Sequence, residues 1–156
     1  MKAFSVKDFR LKDFLGECRV LFSYPKNIVI LLARWLIAYG FAVPALAKIN
    51  NLEGTIVWFE EIYIPFPVLA AYLVSSIETL GIVLLVLGLF TRYISVLLAC
   101  VMLGAILFVH LQHGFAAANN GIEIPLYYFI FLMIFASYGA GKYSLDHLLF
   151  KNDEYE

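Results

Sequence analysis

The chain predicts an all-α membrane protein: an antiparallel four-helix transmembrane bundle preceded by an amphipathic helix at the membrane surface. Three observations carry this. Of its 156 residues, 63% are hydrophobic and 15% charged, with mean hydropathy +0.86, against about 45–50% and about 25% in soluble domains. Four apolar stretches follow one another, at 28–47, 68–90, 93–110 and 124–138. None alternates as a strand would, and an open strand edge cannot be satisfied by lipid. The connections are short, which makes neighbours antiparallel; Thr91 and Arg92 alone separate the second and third stretches.

The elements follow in order. Leu11, Phe14, Leu15, Cys18, Leu21 and Phe22 recur at helical spacing, with Lys12, Asp13, Glu17 and Arg19 off the stripe. That pattern reads as an interfacial helix ending at Pro25, against the plainer reading of a solvated tail. The first span is too long for a signal-peptide core, holds Arg34 and follows a long polar segment, so it reads as uncleaved despite Ala45-Leu46-Ala47. The connection 49–67 is apolar in its second half and predicts a short interfacial helix stopped by Pro65 and Pro67. Gly81, Gly88 and Gly104 are small enough for close helix approach, with ordinary packing as the plainer reading. The resulting division is 1–26 as a cytoplasmic segment, 27–149 as the membrane domain and 150–156 as a tail.

Cations set the orientation. Lys2, Lys7, Arg10, Lys12, Arg19 and Lys26 precede the first span, Arg92 lies in the second connection, and Lys142 and Lys151 follow the last span. Only Lys48 falls on the other side. The positive-inside rule places both termini in the cytoplasm. Net charge of −1 offers no electrostatic case for nucleic acid. Cys18 and Cys100 form no Cys-x-x-Cys pair.

Two charges lie inside spans, Arg34 in the first and Glu78 in the second. A charge at that depth costs about 2.5–3.5 kcal/mol on insertion scales, so it implies a partner or a function. A helix rise of about 1.5 Å per residue puts the two within about 6 Å in depth. An Arg34–Glu78 pair is therefore expected, either as a register lock between helices or as a catalytic site that moves protons or orients a polar head group. Ser75, one turn before Glu78, adds a hydroxyl on the same face.

Tyr39 and Tyr72, with Tyr127, Tyr128 and Tyr138, enrich the spans in phenols. A pocket lined by Tyr39, Tyr72, Ser75 and Lys48 would suit a flat carrier such as a quinone; helix packing and interface anchoring are the competing reading. His110 and His113 close the third span, and Glu123 opens the fourth. Together they form a candidate metal or proton-transfer site, against the plainer reading of a polar cap. No two histidines lie mid-membrane on separate spans, which disfavours haem.

The ordered set of Arg34, Lys48, Ile64-Pro65-Phe66-Pro67, Glu78 with Gly81, Gly88-Leu89-Phe90-Thr91-Arg92, Glu123-Ile124-Pro125-Leu126 and Gly139-Ala140-Gly141-Lys142-Tyr143-Ser144-Leu145-Asp146 resembles the DoxX family of small bacterial and archaeal membrane proteins. The resemblance spans roughly 28–149. It implies a four-helix transmembrane bundle in the cytoplasmic (inner) membrane and a link to quinone-coupled redox chemistry, as a subunit or accessory of a membrane oxidoreductase. A non-enzymatic scaffold, assembly or export partner is the alternative. In either case the N-terminal segment, outside the resemblance, is available to dock a membrane or cytoplasmic partner.

Overall fold

The computed structural model describes residues 25–150. The expected N-terminal amphipathic helix and the extreme C-terminal tail lie outside the described residues. Within them the protein is all-helical, with no strand. Helix α1 is Lys26–Asn50, α2 is Leu52–Glu61, α3 is Pro67–Leu87, and α4 is Thr91–Ala105. A π-helical turn, Ile106–His110, and a 3-10 turn, Leu111–His113, prolong α4. A 3-10 turn, Ala117–Asn119, leads to α5, Glu123–Tyr138, and α6 is Leu145–Leu149. Three of these helices are long and apolar enough to cross a membrane: Lys26–Asn50, Pro67–Leu87 and Thr91–His113. α5 is apolar but has 16 residues.

The buried faces follow helical spacing. α1 buries Arg34, Ile37, Ala38, Phe41 and Ala45. α3 buries Ala71, Ser75, Glu78, Gly81 and Leu85, and α4 buries Thr91, Ile94, Ser95, Leu98 and Ala99. One apolar core draws on α1, α3, α4 and α5, with Leu132 and Phe135 from the last. The inward stripes mix small and polar residues (Ala38, Ala45, Ala71, Ser75, Gly81, Ser95, Ala99) with a few large apolar ones (Ile37, Phe41, Leu85, Ile94, Leu98). The large side chains Leu32, Leu36, Val43, Leu69, Leu73, Leu80, Val83 and Leu97 point outward. Between helices surrounded by lipid this is the expected division, because small inward residues let the helices approach while the outer surface needs only to be apolar.

Glycines bear this out unequally. A Cβ on Gly81 would meet the Leu98 side chain of α4 at 2.8 Å, whereas one on Gly104 would meet nothing within 4 Å. Gly81 is a contact residue between helices and Gly104 is not.

The turn between α2 and α3 departs from expectation. α2 ends at Glu61, four residues before Pro65, so neither proline stops it. Tyr63 and Phe66 take positive φ values of 59° and 53°. That left-handed region is uncommon for bulky residues, and here it turns the chain. Pro67 opens α3 at the first-turn position that tolerates a missing N–H.

Candidate functional site: two polar centres on the same pair of helices

Arg34 is fully buried. Its Nη1 donates to the Leu85 carbonyl at 3.0 Å and its Nη2 to the Tyr143 carbonyl at 2.6 Å. The expected Arg34–Glu78 pair does not form. Leu85 lies seven residues beyond Glu78, about 10 Å along α3. The reason lies in what the end of a helix offers. The last carbonyls of α3 have no partner within the helix, and they carry the negative end of its dipole. A guanidinium delivered there satisfies both its own donors and those acceptors.

Asp146 does the complementary task one turn further on. Its carboxylate accepts from Phe90 N at 2.6 Å and Thr91 N at 2.9 Å, the first amides of α4. Its own N–H donates to Gly88 O at 2.9 Å. The α3–α4 junction is thus held by a cation at one helix's C-terminus and an anion at the next helix's N-terminus. Gly88 is required between them: its φ is +68°, and a Cβ there would collide with Arg34 Nη1. Ser144 caps α6, accepting from His147 N at 3.2 Å. Two of the segments that carry the family resemblance, 88–92 and 139–146, therefore dock on each other. Arg34 bonds main-chain carbonyls, and the cation that bonds Glu78 is Lys48.

The second centre is Glu78. Lys48, in the last turn of α1, donates to both carboxylate oxygens, at 2.9 and 2.7 Å. Glu78 is buried, while the Lys48 side chain keeps 17% exposure. Ser75, one turn before Glu78, is buried, and its Oγ has no hydrogen-bond partner among the described residues. Beside Lys48 lies an open cleft of ≈ 360 Å³, lined by Pro44, Ala47, Lys48, Asn51, Gly54, Thr55 and Trp58. α2 forms its far wall. Asn51 positions that helix by accepting from Gly54 N at 3.0 Å through its side chain. Sequence reasoning placed Lys48 near a ligand but missed it as the partner of Glu78. Depth counted between Cα atoms omitted the long lysine stem, which carries its head away from its own backbone. Asn51 and Thr55 were not singled out; their signal was the polar start of a short helix directly after Lys48.

The remaining expected site residues separate. Tyr39 and Tyr72 are 75% and 55% exposed and face outward, so they do not line an interior pocket with Ser75 and Lys48. Each lies off the inward stripe of its own helix. His110, His113 and Glu123 do not converge, and no group of three potential metal ligands occurs among the described residues. His110 Nδ1 bonds the Asn120 carbonyl at 2.7 Å, and His113 Nδ1 bonds Val109 O at 3.0 Å. Glu123 accepts from Ala117 N and from the Tyr127 hydroxyl. Change of helix type across 106–113 removes the regular turn that would align the two imidazoles. Each side chain instead satisfies local loop backbone or a neighbouring hydroxyl.

Comparison with known proteins bears on this arrangement. A family model described as DoxX matches residues 29–111. An uncharacterised Haemophilus influenzae protein is 30% identical over 133 residues, covering 80% of this chain and 85% of its own. A Bacillus subtilis protein named "Putative oxidoreductase CatD" is 34% identical over 125 residues, covering 80% of this chain and 90% of its own. The Escherichia coli "Inner membrane protein YphA" is 29% identical over 89 residues, covering 57% of this chain and 64% of its own. No solved structure matches.

Proposed function

The chain belongs to the DoxX family of membrane proteins, and from that premise we propose that it is a redox-associated protein of the cytoplasmic (inner) membrane that takes a quinone, or another small apolar electron carrier, in the cleft beside Lys48. In this reading α1, α3, α4 and α5 form an antiparallel four-helix transmembrane bundle with both termini cytoplasmic, and α2 lies at the outer surface. Supporting the orientation, Lys26, Arg92 and Lys142 lie at one end of the described fold, and of the described lysines only Lys48 lies toward the other.

The observation that carries the reading is the Lys48–Glu78 pair with its cleft. An ammonium has three N–H donors, and Glu78 takes two of them. The third is available to a carbonyl oxygen in the cleft, where Asn51 and Thr55 add polar atoms and Trp58 an aromatic wall. The volume falls at the lower end of ligand pockets, about 300–1,000 Å³, and suits a ring with its tail left in lipid. When bound, a quinone supplies reversible two-electron, two-proton chemistry. The chain's own part is to orient a carbonyl with Lys48 Nζ–H, hold a proton at Glu78 Oε, and keep the carboxylate out of bulk water. The printed name of the Bacillus subtilis relative is consistent with redox work.

Quinone extraction and a quinone titration of the protein purified in lipid test this directly. Bound quinone, or a quinone-dependent absorbance change that Lys48→Met weakens, is expected. Protein that neither retains nor titrates with quinone would sink the reading and leave the scaffold alternative.

A further inference from the structure

The turn that joins α2 to α3 keeps two aromatic rings at a cost in backbone conformation. α2 closes with a pair of bonds common at helix ends: Ile64 N–H donates to Phe59 O at 2.9 Å, and Tyr63 N–H to Glu60 O at 3.0 Å. That pattern puts one residue in the left-handed region, where glycine is usual because it has no Cβ to clash. Here the residue is Tyr63, with φ of 59°. Phe66 is left-handed too, with φ of 53°, and it precedes Pro67, whose ring pushes the residue before it toward extended backbone. Contacts within the described chain account for neither ring. Tyr63 is 89% exposed and Phe66 78%, and neither stacks on another ring among the described residues. Phe90, also left-handed, differs: Asp146 holds its N–H, and its ring meets Tyr93 and Phe150.

The level of the turn follows from its neighbours. α3 has 21 residues, which rise about 31 Å, close to the thickness of the hydrocarbon core, about 30 Å. Pro67, its first residue, therefore stands at the edge of the hydrocarbon. Glu60 and Glu61, both exposed, precede the turn, and carboxylates belong in water. The chain passes from water to hydrocarbon across 62–66, and both rings lie in that passage.

We propose that Tyr63 and Phe66 form a two-ring anchor in the headgroup layer of the bilayer at the Lys48 end of the fold, and that the membrane thereby holds the end of α2 in place. Aromatic rings favour that layer, and their insertion offsets the left-handed backbone. α2 needs such a tether: it buries only Thr55 and Phe59. Its start is fixed by Asn51, whose side chain accepts from Gly54 N–H. Because α2 supplies Gly54, Thr55 and Trp58 to the wall of the Lys48 cleft, the bilayer helps to set the width of that cleft. This holds whether or not the cleft takes a quinone.

Amide hydrogen exchange on the full chain in lipid nanodiscs reads the anchor through α2. Tyr63→Gly removes the ring and the left-handed strain together. An idle ring predicts equal or slower exchange across Leu52–Glu61, because the helix end improves. The anchor predicts exchange several-fold faster there, with the middle of α3 unchanged. Tyr63→Trp keeps both the strain and an amphipathic ring, and should keep α2 protected. In a background of Trp35→Phe and Trp58→Phe, the fluorescence of Tyr63→Trp reports the level of the ring. Quenching by lipids brominated high on the acyl chain, with little by aqueous iodide, is expected. Equal or slower α2 exchange in Tyr63→Gly overturns the proposal. So does loss of α2 protection in Tyr63→Trp, or fluorescence quenched by iodide and not by brominated lipid.

Discussion

Two buried ionic side chains, Arg34 and Glu78, have opposite solutions to one problem. A charge removed from water needs nearly all its hydrogen-bonding capacity met. Arg34 meets it with backbone carbonyls, at the end of α3 and on Tyr143. Glu78 meets it with one flexible cation. These differ in what a mutation does. A double-mutant cycle with Lys48→Met and Glu78→Gln should give a coupling of about 0.5–3 kcal/mol in thermal unfolding, since either single change strands a partner. Arg34→Met combined with Glu78→Gln should be additive within about 0.5 kcal/mol. Coupling in the second cycle, or its absence in the first, would contradict the pairing described. The contrast also separates roles: a carboxylate held by a partly exposed lysine can exchange a proton, whereas a guanidinium held by main-chain carbonyls is suited to a fixed position.

At the scale of elements, the fold is governed by helix ends. α3 ends and α4 begins within four residues, and both termini are satisfied by side chains distant in sequence, Arg34 from α1 and Asp146 from α6. A short helix near the C-terminus thereby holds the middle of the chain. Asp146→Ala should cost about 0.5–2 kcal/mol, as loss of an N-terminal cap does. Hydrogen exchange should locate the damage. The amides of Phe90 and Thr91 are expected to exchange faster, and those in the middle of α1 to be unchanged. Uniform acceleration across all helices would mean that the contact supports the whole fold rather than this junction. The far end of α4 works differently. There a π turn and a 3-10 turn break the regular ladder, and the histidines on them bond nearby carbonyls, Asn120 O and Val109 O.

At the scale of the molecule, small inward residues among the described ones set how closely helices meet, as Gly81 does against Leu98. Gly81→Leu should force α3 and α4 apart and cost about 1–3 kcal/mol, the usual penalty of overpacking. Gly104→Leu should be nearly neutral, because the space beside it is open. Both are read by thermal stability in the same detergent; equal effects would remove Gly81 from the interface. The described chain also returns to its starting end: Lys142 N bonds Asn27, beside the start of α1. That closure puts Arg92, Lys142 and Lys26 at one level and leaves the Lys48 cleft near the other end.

The four apolar stretches, their helical state and the family were legible in the sequence, because lipid leaves a backbone few choices and composition reports that constraint directly. Lys48, Glu78 and Ser75 were legible as polar residues that an apolar span carries only for a reason. Partner choice was not legible. Arg34 and Glu78 were matched by counting depth along helices, but depth is one coordinate, and an arginine's alternatives include every unpaired carbonyl at a helix end. The outward rotation of Tyr39 and Tyr72 depended on which stripe each helix buries. The dispersal of His110, His113 and Glu123 depended on how the loop's own amides and carbonyls were satisfied. Partner choice and helix rotation are set by contacts between segments far apart in the chain, and the dispersal by hydrogen bonds within 109–127, so the folded structure alone decided them.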